Sequence, residues 1–243
     1  MLNSLFRLYR RIIFFDTETT GFDADKDDQI IELAAIAADR DGSVREMDDF
    51  IHLHSLPQLP DKIMDLTGIT DITLATQGID EEDALRKFIR LMEPAEEGED
   101  IFSVIDSDVL LVAHNAQFDL LFLAYALMRH RDAGKGWLTI FNDSDYLDTL
   151  TVYKDRRRYP NKLEDAIAEY GLAGKVENSH RAVDDCKALF EVTKRMAEEE
   201  DDLDKYVNLF GYNPKYGPTG RMLKKVTYKP QGFNSYRGPK LYE

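Results

Sequence analysis

Residues 12–21 read Ile12-Ile13-Phe14-Phe15-Asp16-Thr17-Glu18-Thr19-Thr20-Gly21. Four apolar residues run straight into an acid-x-acid pair and a polar turn. The apolar run reads as a buried strand. Positions i and i+2 of an extended strand point to the same face, so Asp16 and Glu18 project together. Their repulsion calls for a positive charge between them, and hard divalent cations take carboxylate oxygens. Without a cation, the same residues read as a strand end that turns polar at Gly21.

Working outward, strands are expected at 29–38 and 49–53, which with 12–15 form a three-strand antiparallel meander. Residues 60–76 predict short helical turns, opened by Pro60 and closed at Thr67-Gly68. Apolar residues at Ala84, Leu85, Phe88, Ile89 and Met92 give residues 81–92 a helical spacing. A strand at 109–113 leads into an apolar helix at 118–128. A short strand at 146–148 and helices at 162–170 and 184–199 complete the pattern. Strands first, then strands alternating with helices, indicate an α/β domain with a mixed sheet. The polar stretches 93–108 and 131–145 read as loop insertions.

The chain has 243 residues, enough for one large domain with a real core. Its 31 Lys+Arg stand against 46 Asp+Glu, a net charge of −15. A single cysteine, Cys186, excludes an internal disulfide framework and fits a reducing compartment. No apolar run approaches the roughly 20 residues that span a bilayer. The N-terminal arginines lack the apolar core of a secretory signal. A cytoplasmic protein with no membrane partner is expected.

Two further segments place acids where elements begin. His114-Asn115-Ala116-Gln117-Phe118-Asp119 follows the strand at 109–113, with Asp119 in a first helical turn and Asn115 a cap candidate. His180-Arg181-Ala182-Val183-Asp184-Asp185 opens the last long helix, where a loop-borne imidazole can lean over a helical carboxylate.

In order and content, these three segments resemble the DEDDh family of 3′–5′ exonucleases, the DnaQ-like group of bacterial proofreading subunits. The match runs through Asp16 and Glu18, then Asn115, Phe118 and Asp119, then His180 and Asp185, over roughly residues 11 to 197. The Tyr-type subfamily would have tyrosine where this chain has Arg181, so the His type is indicated. The resemblance implies an RNase H-like mixed five-stranded sheet flanked by helices. It implies a DEDDh exonuclease domain over 1–200, followed by an extension over 201–243; with no polymerase sequence attached, a freestanding nuclease is expected. It further implies hydrolysis of terminal phosphodiesters of DNA, in proofreading or repair, releasing nucleoside 5′-monophosphates.

By the same resemblance Asp16, Glu18, Asp119 and Asp185 are metal ligands for two divalent cations, Mg²⁺ or Mn²⁺. His180 is the general base; an imidazole's ordinary titration near neutrality suits that step. Thr17, Thr19, Gly21 and Asn115 are expected to bind substrate. Asp184 competes with Asp185, and the spacing from His180 selects Asp185. An RNA 3′–5′ exonuclease is the alternative reading, and a catalytically silent nucleic-acid-binding subunit is a third.

Partners follow: a single-stranded or frayed 3′ end of DNA, or RNA, and a replicative polymerase. The segment Tyr206-Val207-Asn208-Leu209-Phe210 ends in Leu-Phe as sliding-clamp ligands do, without their leading glutamine. Residues 214–243 hold seven basic residues against Glu243 alone, interleaved with aromatics. Such a tail suits phosphates and stacked bases, or equally docks on its own acidic body, and the nucleic-acid role is slightly preferred. The remaining features read as structural. His52 and His54 lack zinc-site partners, His130 suits a helix C-terminus, and Cys186 is a small buried residue. Trp137 is open between packing and binding. The acidic stretches 80–83, 93–100 and 198–204 read as solvated.

Overall fold

The first strand does not stop at the apolar run. In this computed structural model β1 spans Arg11–Thr19, carrying both acids of the opening motif inside an extended segment. The structure describes residues 2–93, 109–177, 179–232 and 238–243. A short helix, α1 (Asn3–Leu8), precedes β1. β2 (Ile30–Asp39) and β3 (Val44–Phe50) follow as antiparallel neighbours. β3 begins five residues before the strand expected at 49–53. Its Val-Arg-Glu-Met-Asp-Asp-Phe sequence hides an edge strand, because only Met47 is buried and no apolar alternation shows.

Three helices lead to the second half: α2 (Asp61–Thr67), α3 (Asp71–Gln77) and α4 (Glu81–Met92). Gly68 ends α2 at φ 70°, a left-handed cap that glycine adopts without strain. β4 (Val109–Ala113) then pairs parallel to β1, and β5 (Asp145–Asp148) parallel to β4, giving the order β3-β2-β1-β4-β5. Between them run α5 (Ala116–Arg129) and α6 (Trp137–Asp143). The latter corrects the loop expected at 131–145. Its Trp137, Leu138, Ile140 and Phe141 pack on the core, though polar flanks mask them in sequence. α7 (Thr149–Arg156), α8 (Leu163–Glu169) and α9 (Ala182–Glu199) complete the helices, α7 being one the periodicity did not announce. The rest of the insertion expected at 93–108 lies outside the described residues.

Strand alternation builds two cores. Ile13 and Phe15 face α4 and α5, while Ile12 and Phe14 face α1, α7, α8 and α9. Each fully buried phenylalanine contributes about 2–3 kcal/mol of hydrophobic stabilisation. The fold is the RNase H-like mixed five-stranded sheet between helical layers.

After α9 the chain makes a 3-10 turn (Leu203–Tyr206) and a two-stranded parallel sheet, β6 (Leu209–Tyr212) with β7 (Thr227–Pro230). Leu209 and Phe210, the Leu-Phe pair of the clamp-like segment, are buried, so they are not presented to a partner. The basic tail is held by the contacts that charge complementarity demands. Lys225 reaches Asp145 at 2.6 Å, Lys240 reaches Glu200 at 2.8 Å, and the Tyr242 hydroxyl donates to Asp202 at 3.0 Å. Two of the three acidic stretches are also more than solvated faces. Glu81 is buried against Arg129 at 2.7 Å and His130 at 2.9 Å, and Asp202 is buried against Arg156. The remainder of the third stretch, past Glu93, lies outside the described residues. Among the described residues no helix is long and apolar enough to cross a membrane.

Candidate active site

The continuation of β1 sets the site. Asp16 and Glu18 stay in register opposite Ala34 and Glu32 of β2, and the ladder shifts only after Glu18. Both side chains therefore leave the same face, where α9 delivers Asp185 from its first turn. Asp16, Glu18 and Asp185 each bring one carboxylate oxygen to within 4.8 Å of the others. Asp184 points elsewhere and accepts the Ser179 hydroxyl at 2.6 Å.

Asp119, on the first turn of α5, stands beside this trio rather than in it. Its Oδ1 accepts the Thr17 backbone N–H at 3.1 Å and the Thr17 hydroxyl at 2.7 Å. Those bonds tie α5 to β1 and orient the fourth carboxylate. They also occupy the Thr17 side chain, one of the expected substrate contacts. Thr19 likewise turns inward, donating to the Gly21 carbonyl at 2.7 Å. Gly21 sits hard against the Asp28 carboxylate, where any Cβ would collide.

Asn115 is at the N-cap position of α5, but with a left-handed φ of 70° and no side-chain cap. The cap comes instead from Asp148 at the end of β5, whose Oδ1 accepts the N–H groups of Asn115 at 2.9 Å and Ala116 at 3.1 Å. This corrects the capping role expected of Asn115, which lines a pocket shared with Phe118 and Phe22. Asp148 was missed as a cap because it comes from a separate element. His180 is exposed on the loop before α9, in left-handed backbone at φ 55°.

One anchor escaped the sequence reading altogether. Glu32, fully buried in β2, takes the Arg181 guanidinium at 2.7 and 3.0 Å and the Ala182 N–H at 3.0 Å. The Arg181 guanidinium also lies 4.7 Å over the Phe50 ring. The pair fixes the start of α9, and with it the loop of His180. A single acid inside the apolar run of β2 was the available signal, since a buried charge requires a partner. Elsewhere, Cys186 is buried, its thiol donating to the Ala34 carbonyl at 3.3 Å, and burial raises its pKa away from reactivity. Trp137 opens α6 and carries Arg86 5.1 Å over its ring, which favours packing.

Crowded acids in a poorly hydrated cleft resist ionisation. Burial, then the neighbouring acids Asp119, Asp185 and Glu18, push Asp16 well above the usual carboxylate range. Burial, then Asp185 and Glu32, raise Glu18 to about 8, with Arg181 pulling it down. Burial raises Asp119 to about 7 against the lowering effect of the Thr17 bonds. Hard oxygen donors that repel one another when ionised are the donor set a divalent cation satisfies.

A prediction follows for the metal-free protein. Acids whose folded pKa is raised hold protons more tightly folded than unfolded. The stability they confer is whole below the ordinary carboxylate range near pH 4 and is lost as pH rises past about 7 for Asp119 and about 8 for Glu18. Thermal unfolding in chelator should show Tm falling between pH 5 and 9, and added Mn²⁺ should remove most of that fall. A Tm indifferent to both pH and Mn²⁺ would contradict the crowding.

The RNase T family profile, described as Exonuclease, matches residues 13–193, which hold all three motifs and nearly all of the five-stranded sheet. The chain belongs to this exonuclease family. Within it, the motifs mark the DEDDh, DnaQ-like group. Similar curated proteins include a PolC-type DNA polymerase III of Clostridium perfringens, 35% identical over 196 residues, covering 78% of this chain and 12% of that protein. The epsilon subunit of DNA polymerase III of Treponema pallidum is 29% identical over 196 residues, covering 79% of this chain and 80% of that subunit. This exonuclease-family chain thus spans about an eighth of the length of the PolC-type relatives it matches. Among solved structures, E. coli exonuclease I in complex with a dT13 oligonucleotide superposes with TM-score 0.64 at 18% identity, covering 81% of this chain and 43% of that one. Cell-death related nuclease 4 superposes with TM-score 0.61 at 17% identity, covering 79% and 65%. Both likenesses are of fold.

Proposed function

We propose that this protein is a divalent-metal-dependent 3′–5′ exonuclease. It hydrolyses the terminal phosphodiester of single-stranded or frayed DNA in proofreading or repair and releases nucleoside 5′-monophosphates. The observation that carries the reading is the convergence of Asp16, Glu18 and Asp185 within 4.8 Å, with Asp119 held alongside by Thr17. Asp16, Glu18, Asp119 and Asp185 would hold two Mg²⁺ or Mn²⁺. Bound there, the cations supply charge neutralisation for the phosphodiester and a hold on its oxygens.

The chain's own groups do the rest. His180 takes a proton from the attacking water onto a ring nitrogen. The water oxygen bonds phosphorus, and the bond from phosphorus to the 3′-oxygen breaks with its electron pair staying on that oxygen. The oxygen takes a proton from solvent to become the new 3′-hydroxyl of the shortened strand. The phosphate leaves on the 5′ side of the released nucleotide. Arg181, clamped by Glu32, anchors the start of α9 next to His180 and would steady its loop. The Asn115 amide and the backbone around Gly21 face the terminal nucleotide. The polymerase III names of the relatives favour ends generated in DNA replication, and a polymerase is the partner proposed.

The test is digestion of a 5′-labelled single-stranded DNA and its RNA counterpart, with Mg²⁺, with Mn²⁺ and with chelator. The expected result is a ladder shortening from the 3′ end of DNA, abolished by chelator. Preferential shortening of RNA would favour the RNA reading. No cleavage under any metal would leave only the silent subunit.

A further inference from the structure

We propose that residues 213–226 form a strap that builds one wall of the substrate site, and that Arg221 binds a backbone phosphate of the strand upstream of the scissile bond. The inference rests on the nuclease reading of the carboxylate site and extends it to part of this chain beyond the matched residues 13–193.

A cavity of about 380 Å³ is lined by segments that adjoin the acidic motifs in sequence, the turn after β1 and the helix that carries Asp119. Phe22, just past the acidic end of β1, and Asn115, Phe118 and Tyr125 of the α5 region form one side; Thr219 and Arg221 of the strap form another. The strap is seated by directed bonds. The Gln117 amide, from the first turn of α5, donates to the carbonyls of Thr219 at 3.2 Å and Arg221 at 2.9 Å. Tyr228 completes the lock, its hydroxyl donating to Gln117 Oε1 at 2.7 Å and accepting the Leu223 N–H at 2.9 Å. Leu223 and Val226 sink into the core below. Gly220, at φ 67°, passes so close to Leu121 that a Cβ there would collide. The wall is therefore part of the folded protein.

The lining suits a nucleotide chain. Phe22 is 79% exposed and meets Phe118 edge-on at 6.3 Å, leaving an unshielded ring face of the kind on which bases stack. Asp23 and Asp25 on the rim would repel phosphates. Among the described lining residues Arg221 is the one cation. Besides Lys225, which is paired with Asp145, the strap supplies Lys215, Arg221 and Lys224 and no acid, within a chain of net charge −15. A polyanion approaching an acidic body needs such a local counterweight. Because the strap supplies none of the four carboxylates, its contribution is expected in strand length and salt response.

The experiment compares the full-length wild type, Arg221→Ala and Arg221→Lys on two substrates with Mn²⁺ across a salt series. One is a twelve-nucleotide single-stranded oligothymidylate, and the other is the p-nitrophenyl ester of thymidine 5′-monophosphate, which has no upstream phosphate. Arg221→Ala should raise KM for the oligomer about tenfold, a larger loss than on the ester. Its log–log salt slope should shrink by about 0.7, one phosphate contact on a single strand. Arg221→Lys should recover most of the slope. Lys62→Ala, an exposed cation on α2 outside the pocket, is the control and should match wild type. An oligomer KM and salt slope unchanged in Arg221→Ala would overturn the assignment, as would equal losses on both substrates. Failure of the wild type to hydrolyse either substrate would instead sink the nuclease reading, and this inference with it.

Discussion

Asp16→Asn is expected to lower turnover by about a thousandfold, the scale of losing one preorganised charge at a reacting centre, while raising the melting temperature of the metal-free protein. The two signs come from one cause. Asp16 lies between Glu18, Asp119 and Asp185, and each of these raises its pKa on top of the cost of burial. Asparagine keeps the shape and removes the cost of burying an acid whose neighbours oppose its ionisation, so the apo fold relaxes. The same change removes an anionic oxygen from the trio that converges within 4.8 Å, so cations bind less tightly and phosphodiester charge is less well offset. Calorimetric titration with Mn²⁺ and thermal unfolding in chelator, run on the same preparation, separate the two effects. Wild-type turnover in Asp16→Asn would remove Asp16 from the metal site. A lower apo melting temperature would mean that the carboxylate supports the fold rather than straining it.

What the sequence could announce depended on whether a signal was local. Residues 12–15 show their burial by composition, and Asp16 and Glu18 show their shared face by the two-residue period, so β1 and two of the trio are readable by eye. Asp119 and Asp185 were reachable only through motif resemblance, because their partners lie more than a hundred residues away. Glu32 and Arg181 were missed for the same reason. Each looks ordinary alone, and only the 2.7 Å bond across 149 positions shows what they do. β3 escaped because an edge strand with one buried residue has no periodic signature. α6 escaped because its apolar residues are diluted by polar neighbours. Asn115 fits a capping preference, yet Asp148 supplies the cap. Preference ranks residue types, but the nearest carboxylate in space wins.

His180→Ala should lower kcat by about 10²–10⁴-fold, the usual yield of a positioned base, with little change in Mn²⁺ affinity. The assignment is by position and by elimination among the described imidazoles. His114 is bonded on both ring nitrogens, to the Thr149 hydroxyl at 3.0 Å and the Asn161 carbonyl at 3.1 Å, and burial lowers its pKa toward the neutral form. His54 and His130 are committed to Glu81 at 3.5 and 2.9 Å, and His52 to the Leu74 carbonyl at 2.9 Å. His180 is exposed on the loop that leads into α9, and the next residue is pinned to Glu32. Its left-handed backbone adds a confounding effect, since alanine is strained there while asparagine is tolerated. His180→Asn therefore serves as the second variant. Equal losses in both assign the defect to the imidazole, and a loss confined to alanine assigns it to the loop. Partial rescue of either variant by added imidazole would identify proton transfer directly. Loss of Mn²⁺ binding in both would make His180 a ligand instead, because a base that only moves a proton has no stake in the affinity of the carboxylates for a cation.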